Sequence, residues 1–262
     1  MKNKPIIIVD NLTVRYGGSL ILDGISFSVY QNEIFVILGE SGCGKSTLMR
    51  HMVGLENPES GQIFIGDVDI TSCSEKDLYK VLRKIGVLFQ SSALIGSMTI
   101  GDNVALPIAE YTSLSKSAIL NMVKLKLSLV GLENYENYLP SEISGGMKKR
   151  AGLARSLALN PEILFLDEPS AGLDPVTAAE IDELILHINK HTDTTLVIVT
   201  HELASIFAVA QRVIMLDKIS KKIIAEGTPN NLKSQNQNPF VYRFFNRYAQ
   251  TQQGDLTDIR KI

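Results

Sequence analysis

The spacing of apolar positions changes several times along the chain, and each change marks an element. Leu12, Val14 and Tyr16 alternate with more polar neighbours, as Ile25, Phe27 and Val29 do with Ser26 and Ser28, and Gly17-Gly18 lies between the two stretches. A two-residue period broken by glycines predicts strands joined by a turn, here the start of an antiparallel sheet lobe. Pro58-Glu59-Ser60-Gly61 then announces a strand from Gln62 to Ile65, and a short helix is expected around Glu75 to Arg83. Four runs have no polar interruption: Ile34 to Leu38, Ile85 to Phe89, Ile163 to Leu166 and Leu196 to Val199. Such runs read as strands, Ile34 to Leu38 as one covered on both faces and Ile163 to Leu166 as another buried one.

From about residue 91 to 160 the period is helical, with Thr99 and Ser115 as N-caps and Gly131 as a stop after Val123, Leu127 and Val130. This predicts a helical lobe inserted in the core, its last helix starting at Ser144 and stopped by Asn160-Pro161. Asp174-Pro175 is a cap and first-turn pair opening a long helix. Val213 to Leu216 and Lys222 to Ala225 read as closing strands, and Thr228-Pro229 starts a short helix. Strands alternating with helices predict an α/β fold with a mainly parallel core sheet and right-handed crossovers. One domain over 1–238 is expected. Val241, Phe244, Phe245 and Tyr248 share one helical face, so 239–262 reads as an amphipathic helix followed by a polar tail.

Composition narrows the class. The 262 residues are 45% hydrophobic and 21% charged, enough for a sizeable core, and a net charge of -2 gives no basic field to hold nucleic acid. The two cysteines make no disulfide framework and fit a reducing compartment. Neither an export signal nor an apolar run near the ~20 residues of a membrane span is present, so membrane work requires partners.

The chemistry centres on the segment that follows the first apolar run: Gly39, Glu40, Ser41, Gly42, Cys43, Gly44, Lys45, Ser46 and Thr47. A strand, a glycine-rich turn and a helix N-terminus form an anion nest. Backbone N–H groups face phosphate oxygens, Lys45 supplies an ammonium for the β- and γ-phosphates, and the Ser46 hydroxyl ligates Mg²⁺. ATP and Mg²⁺ are the expected ligands. Hydrolysis also needs a metal carboxylate and a base, and Asp167-Glu168 ends an apolar run where adjacent residues point opposite ways. That assigns Asp167 to Mg²⁺ and Glu168 to the attacking water. His201 ends the next strand, placed to sense the γ-phosphate, and Gln90 ends another, with an amide for metal or water. Tyr16 is a candidate to stack on adenine. Cys43, at a helix N-terminus, is expected to have a lowered thiol pKa and to be open to alkylation. His51, His187 and His191 fall in helical stretches and carry no site role.

Taken together, the core from about Ile6 to Leu232 resembles the ATPase subunit of ABC transporters. Gly39 to Ser46 is similar to the Walker A loop, Gln90 to the Q-loop, and Ile143-Ser144-Gly145-Gly146-Met147 to the signature. Ile163 to Asp167 with Glu168 is similar to Walker B and its base, Ser170 to Asp174 to the D-loop, and His201 to the switch histidine. The resemblance implies the P-loop ABC ATPase fold and places Asp174 with the nucleotide-binding set. It also implies a head-to-tail homodimer in which Ser144, Gly145 and Gly146 of one copy close over the ATP of the other, and an integral-membrane permease as partner.

The signature departs from the usual Leu-Ser-Gly-Gly-Gln at Ile143 and Met147. Ser-Gly-Gly-Met, with Phe89 to Leu94 and Asp102 to Pro107, is similar to the Mla-type branch that serves lipid transport with MCE-domain proteins. That branch implies a peripheral ATPase on the cytoplasmic face of the inner membrane and a lipid cargo. A small-solute importer is the alternative reading. A soluble ABC ATPase of DNA repair or translation is a further one, although the chain has neither an inserted heptad coiled coil nor a second cassette.

Overall fold

Two sheets organise the molecule, whose computed structural model describes residues 4–234 and 238–247; Tyr248, the polar tail and positions 235–237 lie outside the described residues. The first part of the chain gives β1 (Pro5–Tyr16), β2 (Ser19–Tyr30), β3 (Ile34–Gly39), α1 (Lys45–Met52), β4 (Ser60–Ile65), β5 (Val68–Asp69), α2 (Glu75–Leu82) and β6 (Ile85–Leu88). Three helices follow, α3 (Ile100–Tyr111), α4 (Lys116–Leu129) and α5 (Gly145–Ser156), the last preceded by a single 3₁₀ turn at Pro140–Glu142. The rest runs β7 (Ile163–Asp167), α6 (Pro175–Thr192), β8 (Thr195–Val199), α7 (Leu203–Val209), β9 (Arg212–Leu216), β10 (Ile223–Gly227), α8 (Pro229–Ser234) and α9 (Pro239–Asn246).

The smaller sheet has the order β2-β1-β4-β5 and is antiparallel, as the period-two stretches predict. The larger has the order β10-β9-β3-β8-β7-β6, with parallel pairing everywhere except the β9–β10 edge. It is the α/β core sheet expected from the sequence. β3, β7 and β8 are buried along their whole length.

Alternation along these strands divides the core in two. Ile34, Val36 and Leu38 of β3 face the layer built from α3, α4, α5 and α6, while Phe35 and Ile37 face the layer shared with α1 and the antiparallel sheet. β7, β8 and β9 follow the same alternation. Arg212 ties the two sheets together from β9: its guanidinium pairs with Glu33 at 2.7 and 2.8 Å, donates to Ser28 O at 2.6 Å and lies 4.6 Å from the Phe35 ring centroid.

Thr99 caps α3 in a reciprocal box with Asp102, and Ser115 caps α4. Gly131, at φ +68°, follows the last residues of α4. One helix end differs from expectation. α5 stops at Ser156, not at Asn160-Pro161, because the next residues form tighter turns, Ala158 N donating to Arg155 O at 3.1 Å and Asn160 N to Leu157 O at 3.0 Å, before Asn160 takes φ +51°. At the C-terminal end of the described chain, Val241 and Phe245 of α9 are buried in the helical-side core, and the Phe245 ring meets Phe207 edge-on at 6.0 Å. Among the described residues, no helix is long and apolar enough to cross a membrane.

Candidate functional site

Parallel register brings four strand ends to one edge. Ile37 of β3 is paired with Val199 of β8, and Val199 with Asp167 of β7, while Leu88 of β6 is paired with Leu166. The segments that leave these ends carry Gly39 to Ser46, Gln90, Glu168 and His201, so residues distant in sequence meet at the carboxyl edge of the sheet, where such folds bind ligands. They enclose a cleft of about 320 Å³, lined by Ser41, Gly42, Gly44, Lys45, Ser46, Thr47, Gln90, Glu168 and His201.

The loop's shape follows from its glycines. Gly39 has φ +150°, and a Cβ there would sit 2.5 Å from Leu216 O and 2.6 Å from Cys43 Sγ, so no side chain fits. Gly44, at φ +104°, is the residue from which α1 begins. The Lys45 ammonium is folded onto the loop itself, donating to Gly39 O at 2.8 Å and Glu40 O at 3.2 Å. Cys43 is buried against Gly39, and burial raises its thiol pKa above the ordinary value despite the nearby Lys45 charge. The lowered pKa expected at this helix start is therefore corrected: loss of hydration outweighs the local positive charge.

At the end of β7 the two acidic residues make different contacts. Asp167 is buried and accepts from the Ser46 hydroxyl at 3.2 Å, with burial pushing its carboxyl above the usual carboxylate range against the pull of that hydrogen bond. A hydroxyl and a carboxylate facing each other at a phosphate-type loop are oxygen donors of the kind Mg²⁺ takes, so the residues present fit that ion. Glu168 is held in the left-handed region, at φ +49°, while its N–H completes the sheet by donating to Val199 O at 2.8 Å. A non-glycine residue there is strained, and strain of this kind gathers at functional sites. Its Oε1 lies 2.7 Å from Nδ1 of His201, and its Oε2 is buried without a partner among the described residues.

The remaining candidates lie elsewhere. Ser144, Gly145 and Gly146 form the start of α5, with the Ser144 hydroxyl accepting from Met147 N at 3.3 Å, and they do not line the cleft of their own chain. Asp174 caps α6, accepting from Val176 N and Thr177 N at 3.0 and 3.1 Å. Hydrogen bonds from Thr177 hold its carboxyl below the usual range. Tyr16 is half exposed at the end of β1 and its hydroxyl donates to Glu56. His51, His187 and His191 sit in α1 and α6 as expected.

Two groups near the site have contacts that the sequence does not predict. Lys149, in a cluster of three basic residues, points inward and donates to Gln90 O at 2.6 Å and Glu168 O at 3.0 Å. Burial lowers its pKa, opposed by the charges of Asp167, Glu168 and Glu202. Ser170 donates to Glu202 at 3.0 Å and lies 3.3 Å from the Ser205 hydroxyl, linking the segment after Glu168 to the one after His201. Nothing in the spacing separates Lys149 from its neighbours Lys148 and Arg150, and the D-loop stretch that contains Ser170 does not predict its bond to Glu202.

Comparison with known proteins places this geometry. Residues 22–171 match the ABC transporter family. The chain is 43% identical over 238 residues to the "probable ribonucleotide transport ATP-binding protein mkl" of Mycobacterium tuberculosis, covering 91% of this chain and 66% of that one, so it spans about two thirds of that relative's length. It is 38% identical over 244 residues to the "intermembrane phospholipid transport system ATP-binding protein MlaF" of Escherichia coli K12, covering 92% of this chain and 90% of that one. Among solved structures, the dimeric ATP-binding cassette MJ0796 in a post-hydrolysis state bound to ADP and Pi superposes with a TM-score of 0.77 at 29% identity, over 85% of this chain and 98% of that one. Members of the family are ATPases that take ATP with Mg²⁺. With the family matched over more than half its length and the strand-edge loop, acidic pair and histidine assembled at one cleft, the chain belongs to the ABC transporter family as an ATP-binding subunit.

Proposed function

We propose that this chain hydrolyses ATP to power the movement of phospholipid or a related lipid through a partner permease and an MCE-domain protein, from the cytoplasmic face of the inner membrane. The observation that carries the hydrolytic part is the Glu168–His201 pair at 2.7 Å, on the rim of the cleft that the Lys45 loop also lines. Lys45 and the loop N–H groups bind the phosphates, and Ser46 and Asp167 hold Mg²⁺, with Gln90 contributing its amide. Held there, the ion would supply positive charge to offset that of the phosphates. Glu168 orients the attacking water and takes its proton at the free Oε2, while His201 fixes the carboxylate through Oε1.

Ser144, Gly145 and Gly146 lie outside their own chain's cleft, which supports a second copy arranged head to tail, each supplying the start of α5 to the other's nucleotide. Tyr16 stacks on the adenine, and Asp174 stands at the dimer seam. Closure on ATP and release after hydrolysis give two states of different affinity, and that difference moves the permease.

The lipid cargo is supported by similarity to MlaF over 90% of its length and by Met147 in the signature. Small-solute import is favoured by a different likeness, 38% identity over 244 residues to the methionine import ATP-binding protein MetN of Carboxydothermus hydrogenoformans, of which the chain covers 72%. Mass spectrometry of proteins co-purifying with tagged Glu168→Gln from native membranes in ATP separates the two. A permease with an MCE-domain protein is the expected result. A permease with a solute-binding protein moves the reading to import.

A further inference from the structure

We infer that Lys149 is a positioning residue that holds Gln90 and Glu168 at a fixed separation, and that α5 carries this setting from its exposed N-terminus into the cleft. The inference rests on the roles given to Gln90 and Glu168 under the proposed function. Its ground is geometric. Lys149 is 6% exposed, and its ammonium donates to the main-chain carbonyls of both residues, at 2.6 Å to Gln90 and 3.0 Å to Glu168. These two residues leave different strands, and one ammonium bridges them.

A second cation on the same helix fixes the rest of that segment. Arg155 donates to Ser92 O at 2.9 Å and Ala93 O at 2.8 Å, and Ser92 and Ala93 both have left-handed φ, +62° and +47°. Two successive non-glycine residues in that region persist only when their surroundings hold them. Gly152, between the two cations, lets α5 approach: a Cβ there would lie 2.7 Å from Leu88 and 3.0 Å from Ser92. The helix and the Gln90 segment therefore move as one piece. Because α5 begins at Ser144-Gly145-Gly146, a load on that end shifts the two carbonyls held by Lys149 and, with them, the amide and carboxylate of Gln90 and Glu168.

The test uses the full-length chain with Lys149→Met, which removes both donors, and Lys149→Arg, which keeps them, beside Glu168→Gln. Turnover of Mg-ATP, calorimetric ATP affinity and melting temperature are measured for each. Lys149→Met is expected to lose roughly ten- to a hundredfold in kcat, the cost of a misplaced reacting group, with ATP affinity within about threefold of native. Lys149→Arg is expected to recover most of the rate. Native-rate turnover by Lys149→Met beside a stalled Glu168→Gln would overturn the inference and leave the hydrolytic reading standing. A parallel loss of ATP affinity, or an arginine variant that folds and is as slow as the methionine one, would overturn it too. If Lys149→Met does not fold, Lys149→Leu, also without a donor, is judged by the same criteria. Native-rate hydrolysis by Glu168→Gln would instead remove the reading on which the inference rests.

Discussion

Glu168 divides its two carboxylate oxygens between two tasks: Oε1 lies 2.7 Å from Nδ1 of His201, and Oε2 is buried with no partner among the described residues. A buried acceptor left free costs stability, so a role on the ligand side is the natural account of it. If the pair acts as a unit, its members must be coupled. Glu168→Gln is expected to lower kcat roughly 10²- to 10⁴-fold while ATP still binds and an ATP-bound dimer accumulates. His201→Ala should cost less, and the double variant little more than Glu168→Gln alone. Single-turnover hydrolysis and gel filtration in ATP measure this. Effects that simply multiply would show that the two residues work separately.

Lys45 rests on two carbonyls of its own loop, so phosphate must draw it away from existing hydrogen bonds. Lys45→Ala is expected to weaken ATP binding by roughly 1.5–3 kcal/mol, on the order of ten- to a hundredfold in the dissociation constant, the range for hydrogen bonds to a charged group. Calorimetry with ATP and Mg²⁺ gives the number. Unchanged affinity would place the phosphates elsewhere.

The sign of the Cys43 shift decides its reactivity. Burial raises the thiol pKa, so the thiolate fraction at neutral pH is below that of an ordinary thiol and grows only as pH rises past the usual range. Cys73, half-buried, is expected to react with iodoacetamide before Cys43, which is 1% exposed. Peptide mass spectrometry over a pH series reads both sites. Faster labelling of Cys43 at neutral pH would contradict the burial.

Asn103 is a stability determinant of the segment leading to α3. Fully buried, it accepts from Ile95 N at 2.8 Å and its amide donates toward Ile95 O, Met98 O and Thr99 O at 3.1, 3.2 and 2.9 Å. Asn103→Ala leaves those groups without partners in the interior and is expected to cost roughly 1–3 kcal/mol. Urea unfolding measures the loss. A shift in midpoint too small to resolve would mean that the backbone finds other partners.

Most of the fold was legible because its signals are local. Uninterrupted runs gave β3, β7 and β8, and cap residues such as Thr99, Ser115 and Asp174 gave helix starts. The cleft was legible for a related reason: its residues follow apolar runs, and parallel register carries run ends to one edge. What escaped depends on tertiary direction. Lys148, Lys149 and Arg150 look alike in sequence, yet Lys149 alone of the three is buried, because successive residues of a helix point about 100° apart. The Cys43 shift was misjudged because a helix start signals charge, whereas the adjoining Gly39 and the depth of burial exist only in three dimensions.

The alternation along β3 bears on how the phosphate loop is held. Its odd and even side chains are gripped by different layers, one built with the antiparallel sheet and α1, the other with α3, α4, α5 and α6. Residues 34–38 are therefore a wall common to both layers, and the chain runs from them straight into Gly39, so the phosphate loop is anchored in both halves of the core at once.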